Sequence, residues 1–169
     1  MKKVVMIIAQ EGFRDEELLH PKVVLEKAGV KVDIASTAVK QAKGKLGAIV
    51  VPNKLVSDVK ALDYDAVIFV GGPGCIQYWH DKTAHSIVKD FSASNKITAG
   101  ICSGAVILAN AGVLMGKKAT SFPGDRQAMI DMGVNYTAKA VEADGNFITA
   151  DGPASATVFG EKIAEKLSK

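Results

Sequence analysis

Cys102 lies in Gly100-Ile101-Cys102-Ser103-Gly104, where the apolar run from Lys96 to Ile101 gives way to an alanine-rich helical stretch. With serine at its centre, this spacing is the nucleophile elbow, a sharp strand-to-helix turn that holds a reactive atom above the edge of a sheet. Glycine is required two residues to either side because the chain doubles back so tightly that a Cβ there would collide. The N-terminus of the following helix supplies partial positive charge, which predicts a thiol pKa below the usual value of about 8.5. A thiolate placed this way attacks carbonyl carbons and is oxidised by peroxide. The alternative is a small buried hydrophobe, the commoner fate of a lone cysteine.

An elbow needs a strand before it and a helix after it, within a sheet whose edge is open. Continuous apolar runs at Val4 to Ala9, Val30 to Ala35, Ala66 to Val70 and Ile97 to Ile101 read as strands buried on both faces of a parallel sheet. Helical patterns at Asp15 to Ala28, Thr83 to Ala93 and Ala105 to Ala111 alternate with them, Gly29 and Gly112 stopping the first and third. Lys45 to Val56 reads as a short extended hairpin, and Val141 to Ala150 as a clearer one turning on Asp-Gly. A last helix is expected from Ala154 to Leu167. The predicted fold is α/β: a doubly wound, mostly parallel sheet sandwiched by helices in a single domain over residues 1–169. Ligands of such sheets bind outside the carboxyl ends of the strands. Gln10 to Glu17, the loop Gly71-Gly72-Pro73-Gly74-Cys75 and Cys102 all fall there.

The composition limits the partners. The 169 residues, 48% hydrophobic and 23% charged, suffice for one domain with a sizeable core. A net charge of +3 and scattered lysines argue against nucleic acid or an acidic membrane surface. The lysine-flanked apolar start imitates a signal peptide, but it is short, runs into Glu11, Arg14 and Asp15, and shows no small-residue cleavage site. Two cysteines without a secretion signal predict a cytoplasmic location with free thiols.

Four stretches together resemble the ThiJ/PfpI superfamily, which includes the parkinsonism-associated deglycase and archaeal intracellular proteases. They are GFRDEELLHP, VIFVGGPG, AGICSGAVILANAGVLMGKKATSFP and VEADGNFITADGPASA, and they cover nearly the whole chain. The resemblance implies a flavodoxin-like sandwich, a homodimer or larger homo-oligomer, a reactive Cys102, and a partner carboxylate at Glu17. Chemistry supports Glu17 independently: a carboxyl desolvated beside the sulfur has a raised pKa, stays protonated and can hydrogen-bond a thiolate. Pro21, four residues on, cannot donate to the Glu17 carbonyl, which loosens the backbone there. Glu11, Asp15 and Glu16 read as solvated charges.

The chain departs from the family at its histidines. The proteases carry histidine directly after the elbow cysteine, where this chain has Ser103. The deglycase branch has one in a Thr-His-Pro-like segment, which reads Ser121-Phe122-Pro123 here. His20, His80 and His85 all precede Cys102, whereas hydrolases with this elbow place theirs downstream. His20, one helical turn from Glu17, is the candidate replacement in the pocket, and His80 a candidate for its rim. No metal-ligand spacing or phosphate loop is present, so neither metal nor other cofactor is expected.

The leading expectation is a cysteine-dependent, glyoxalase- or deglycase-like enzyme for small electrophilic carbonyls. Cys102 is its nucleophile, Glu17 its proton carrier, and the Gly72 and Ser103 N–H groups, next to Gly71, hold the oxyanion. A redox sensor or stress-protective protein that takes peroxide to a sulfinate on Cys102 is the alternative, with Cys75 as a possible resolving thiol. An intracellular cysteine peptidase is the weaker third, because nothing adjacent to Cys102 activates water.

Overall fold

The computed structural model describes Met1–Lys169. The first apolar run forms β1 (Lys3–Ile7), followed by a short β2 (Glu11–Phe13) and helix α1 (Asp15–Lys27). Next come β3 (Lys31–Ser36), β4 (Ala42–Gly44), β5 (Ile49–Val50), β6 (Lys54–Leu55) and β7 (Ala66–Phe69). Helix α2 (Lys82–Ala93) leads to β8 (Ile97–Ile101), and α3 (Ala105–Asn110) to β9 (Lys118–Ala119). The chain ends with α4 (Arg126–Asp131), β10 (Asn135–Tyr136), β11 (Val141–Asp144), β12 (Phe147–Ala150) and α5 (Ala156–Leu167).

Seven strands make the main sheet in the order β11-β12-β8-β7-β1-β3-β6. Every neighbouring pair is parallel except β11 with β12. Side chains alternate across a strand, so each apolar run feeds two cores at once. Val5, Ile7, Val67 and Phe69 pack with α2 and α3 on one face. Val4, Met6, Ile8, Ala66, Ile68 and Val70 pack with α1 and α5 on the other. This explains why the runs are continuous rather than alternating. The strand order reverses between β1 and β7, and the carboxyl ends of β1, β7 and β8 meet there. This is the expected doubly wound, mostly parallel sandwich.

Two local expectations need correction. The single hairpin expected over Lys45 to Val56 is divided. Ile49–Val50 pairs back onto Ala42–Gly44, while Lys54–Leu55 joins the main sheet beside β3. Pro52 lies between them and has no N–H to extend a ladder. Asp15, expected in solvent, is buried; its two oxygens accept from the backbone N–H groups of Leu46 (2.9 Å) and Ala48 (2.8 Å). That clamp fixes the β4–β5 turn against the start of α1. The turn in question carries Lys45 to the site.

Candidate active site

β8 ends at Ile101, and a single tight turn, Cys102–Gly104, leads into α3. Cys102 has a φ of +59°, in the left-handed region. For a residue with a Cβ this costs roughly 1–2 kcal/mol, strain of the kind that accumulates at functional sites. The flanking glycines answer to sterics. A Cβ at Gly100 would lie 2.9 Å from Ala105 Cα, and one at Gly104 would strike the Phe69 carbonyl. Cys102 is 8% exposed and opens onto a cavity of about 420 Å³ whose wall also includes Glu17, Gly72 and Ser103.

Glu17 comes from the first turn of α1 and is wholly buried. Its Oε2 accepts from the Gly71 N–H at 3.0 Å. Its Oε1 has no nitrogen or oxygen partner, and the carboxyl meets the Cys102 thiol. The positive end of a helix favours a charged carboxylate by about 0.3–1 kcal/mol, but burial outweighs it. Desolvation pushes Glu17 up to about 8, against the opposing hydrogen bonds from Cys102 and Gly71.

The thiol departs from the expectation of simple acidification by a helix end. Burial, then the charge of an ionised Glu17, push Cys102 up to about 12. The short turn before α3 does not offset that. The two groups therefore do not both ionise, and the proton's position decides the sulfur's state. With the proton on Glu17, the repulsion disappears and the carboxyl O–H donates to a thiolate. The backbone N–H groups of Ser103 and Gly72 favour the same thiolate.

Gly71 makes this convergence possible. A Cβ there would lie 2.5 Å from Glu17 Oε2, 2.6 Å from the Ile101 carbonyl and 2.7 Å from Cys102 Cβ. Gly71→Ala is expected to destabilise the protein by about 1–3 kcal/mol and to slow Cys102 alkylation by iodoacetamide. Melting curves and peptide mass spectrometry check both; an unchanged alkylation rate shows that the pair tolerates displacement.

Of the sequence-predicted residues, Cys102, Glu17, Gly72 and Ser103 share the cavity, with Gly71 supporting them. His20 does not join them. With Glu17, Leu18, Pro21 and Leu25 turned inward, a residue three positions after Glu17 lies about 60° round the helix, and His20 is exposed. His80 is exposed as well, and His85 is bound through Nε2 to the Trp79 carbonyl at 2.8 Å. Cys75 is fully buried behind the cavity wall, and desolvation pushes its thiol pKa far up. Both cysteines are free.

Other residues at the site had almost no signal in the sequence. Asp125 Oδ2 accepts from Ser103 Oγ at 2.6 Å, from a turn far along the chain. Trp79 Nε1 donates to the Ser103 carbonyl at 3.0 Å and braces the elbow. Arg14 and Lys45 bring positive charge to the cavity wall, although Arg14 is paired with Glu16 at 2.8 Å. The carboxylate two residues after the expected histidine segment, in Ser-Phe-Pro-Gly-Asp, was the one available hint. No cluster of three or more His, Cys, Asp or Glu side chains is arranged to hold a metal ion, and no helix is long and apolar enough to cross a membrane.

A strained cysteine elbow facing a buried carboxyl at the carboxyl edge of a doubly wound sheet defines a class, the cysteine-elbow proteins of flavodoxin-like fold. Within it, this chain belongs to the DJ-1/PfpI family, which matches residues 2–166. A protein of Methanocaldococcus jannaschii is 40% identical over 170 residues, covering 99% of this chain and 83% of that one. A deglycase of Pyrococcus horikoshii is 36% identical over 152 residues, covering 90% of this chain and 91% of its own. The crystal structure of a ThiJ/PfpI domain protein from Brachyspira murdochii superposes with a TM-score of 0.96 at 36% identity, covering 98% of this chain and 96% of that chain.

Proposed function

We propose that this chain is a cysteine-dependent enzyme that converts small α-oxoaldehydes, such as methylglyoxal, to hydroxy acids, and acts likewise on their early adducts. The observation that carries this reading is Glu17: a wholly buried carboxyl, protonated near neutrality and set against the Cys102 thiol in an open cavity. An acid at that place can both stabilise a thiolate and move a proton between adjacent carbons. The name of the Pyrococcus horikoshii relative supports the same class of chemistry.

The steps balance without any cofactor. The thiolate adds to the aldehyde carbon; a C–S bond forms, and the carbonyl electron pair moves to oxygen, which takes the proton from Glu17. The Glu17 carboxylate then removes the hydrogen from that carbon as the neighbouring carbonyl's electron pair moves onto its oxygen, giving an enediolate. The proton on the first oxygen passes to the second, and Glu17 returns its proton to the second carbon. The result is a thioester on Cys102 bearing an α-hydroxyl. Water cleaves it to the hydroxy acid and regenerates the thiol.

The test is incubation of the protein with methylglyoxal, with lactate and dicarbonyl followed together. Lactate formed in excess over enzyme is the expected result. Dicarbonyl bound only once per chain, with Cys102 passing to sulfinate under mild peroxide, transfers the assignment to redox sensing.

A further inference from the structure

We propose that Asp125, held in place by the Ser103 hydroxyl, is the base that activates water to release the acyl group from Cys102. The inference rests on the cysteine-nucleophile reading and supplies the step that reading leaves without a base. Glu17 is enclosed and engaged with the thiol and the Gly71 N–H, so it is poorly placed to meet incoming water. No imidazole is available on the cavity wall, because His20 and His80 are exposed elsewhere and His85 is bound to Trp79. Asp125 is the other carboxylate lining that cavity, and it is partly exposed to it.

Its geometry suits a base. Ser103 Oγ donates to Oδ2 at 2.6 Å, which orients the carboxylate beside the residue that follows the nucleophile. Oδ1 takes no part in that bond and is free to accept from a water molecule. The Ser103 backbone is fixed in turn by Trp79 Nε1 on its carbonyl at 3.0 Å, and Trp79 by Asn110 Nδ2 on its own carbonyl at 3.0 Å. A base carried on the Pro123–Asp125 turn is thereby referenced to the elbow.

In the step itself, water oxygen bonds to the thioester carbon while one of its protons passes to Asp125 Oδ1. The carbonyl pair moves to oxygen, near the Ser103 and Gly72 N–H groups. Collapse re-forms the carbonyl and breaks the C–S bond, its electron pair leaving on sulfur. The acid departs as a carboxylate, its proton and that of Asp125 going to the re-formed thiol–carboxyl pair and to solvent.

The experiment uses p-nitrophenyl acetate, which acylates cysteine directly and so separates release from dicarbonyl chemistry. The full chain, Asp125→Asn, Asp125→Glu and Ser103→Ala are compared for the burst of nitrophenolate and for the steady state after it. Asp125→Asn is expected to keep the burst and to lower the steady state about 100-fold or more, with acetyl-Cys102 accumulating in intact-mass spectra. Asp125→Glu restores part of the rate, and Ser103→Ala loses less than Asp125→Asn. Equal steady-state rates in wild type and Asp125→Asn overturn the proposal. So does a lost burst, which makes Asp125 a prop for the elbow. If methylglyoxal is not turned over but acetyl release still depends on Asp125, the carbonyl reading falls and this one stands.

Discussion

Cys102→Ser is expected to lower dicarbonyl turnover about 10³-fold or more while leaving the melting temperature nearly unchanged. Serine is almost the same size and tolerates the cavity floor, but its hydroxyl does not ionise beside a buried carboxyl. The left-handed backbone at this position, φ +59°, stays strained in the serine variant. Cys102→Gly removes that strain, worth roughly 1–2 kcal/mol, and is expected to melt no lower than Cys102→Ala. Formation of lactate by the serine variant at a rate near wild type overturns the nucleophile assignment. A glycine variant well below the alanine one shows that the elbow is relaxed.

Glu17→Gln is expected to separate thiol reactivity from turnover. Glutamine keeps an acceptor for the Gly71 N–H and presents an N–H donor to the sulfur, as the protonated acid does. Cys102 alkylation is therefore retained, whereas Glu17→Leu slows it. Turnover falls about 10²–10⁴-fold, because an amide cannot take a proton from carbon. Retained turnover assigns the proton transfer to another group.

The same variant has a stability signature. Glu17 titrates at about 8 in the fold against an ordinary value of 4.5. Between those two values the folded chain holds a proton that the unfolded chain has released. Wild-type stability is therefore fully present below about pH 4.5 and declines as pH rises towards 8, by a few kcal/mol in all. Glu17→Gln lacks this loss. Denaturant midpoints should coincide at low pH and diverge in favour of the variant by pH 8. Parallel curves across that window would show that Glu17 is ionised throughout.

The sheet and the elbow were legible because both rest on local constraints. Continuous apolar runs mean two-sided burial, and Gly-x-Cys-x-Gly means a turn too tight for side chains at its edges. The Gly71–Gly72 loop and Glu17 were also legible, the latter through its resemblance-carrying segment and the chemistry of a desolvated acid. The small strands β2, β9 and β10 and the six-residue α4 were not, since two or three residues of ladder carry no periodicity.

The alternation of elements, the family, and the thiol and acid that face one another follow from local sequence. Which other groups attend them depends on how distant segments pack. That packing turned His20 to solvent, because Glu17 and Leu18 take the inward face of α1, and it sealed Cys75 behind the loop. It buried Asp15 as a clamp on the β4–β5 turn and brought Asp125 to Ser103 across 22 residues of chain. It also reversed the expected direction of the thiol's pKa. Local spacing reports helix ends and turns, but desolvation depends on everything packed around a group, and that is fixed only when distant segments meet.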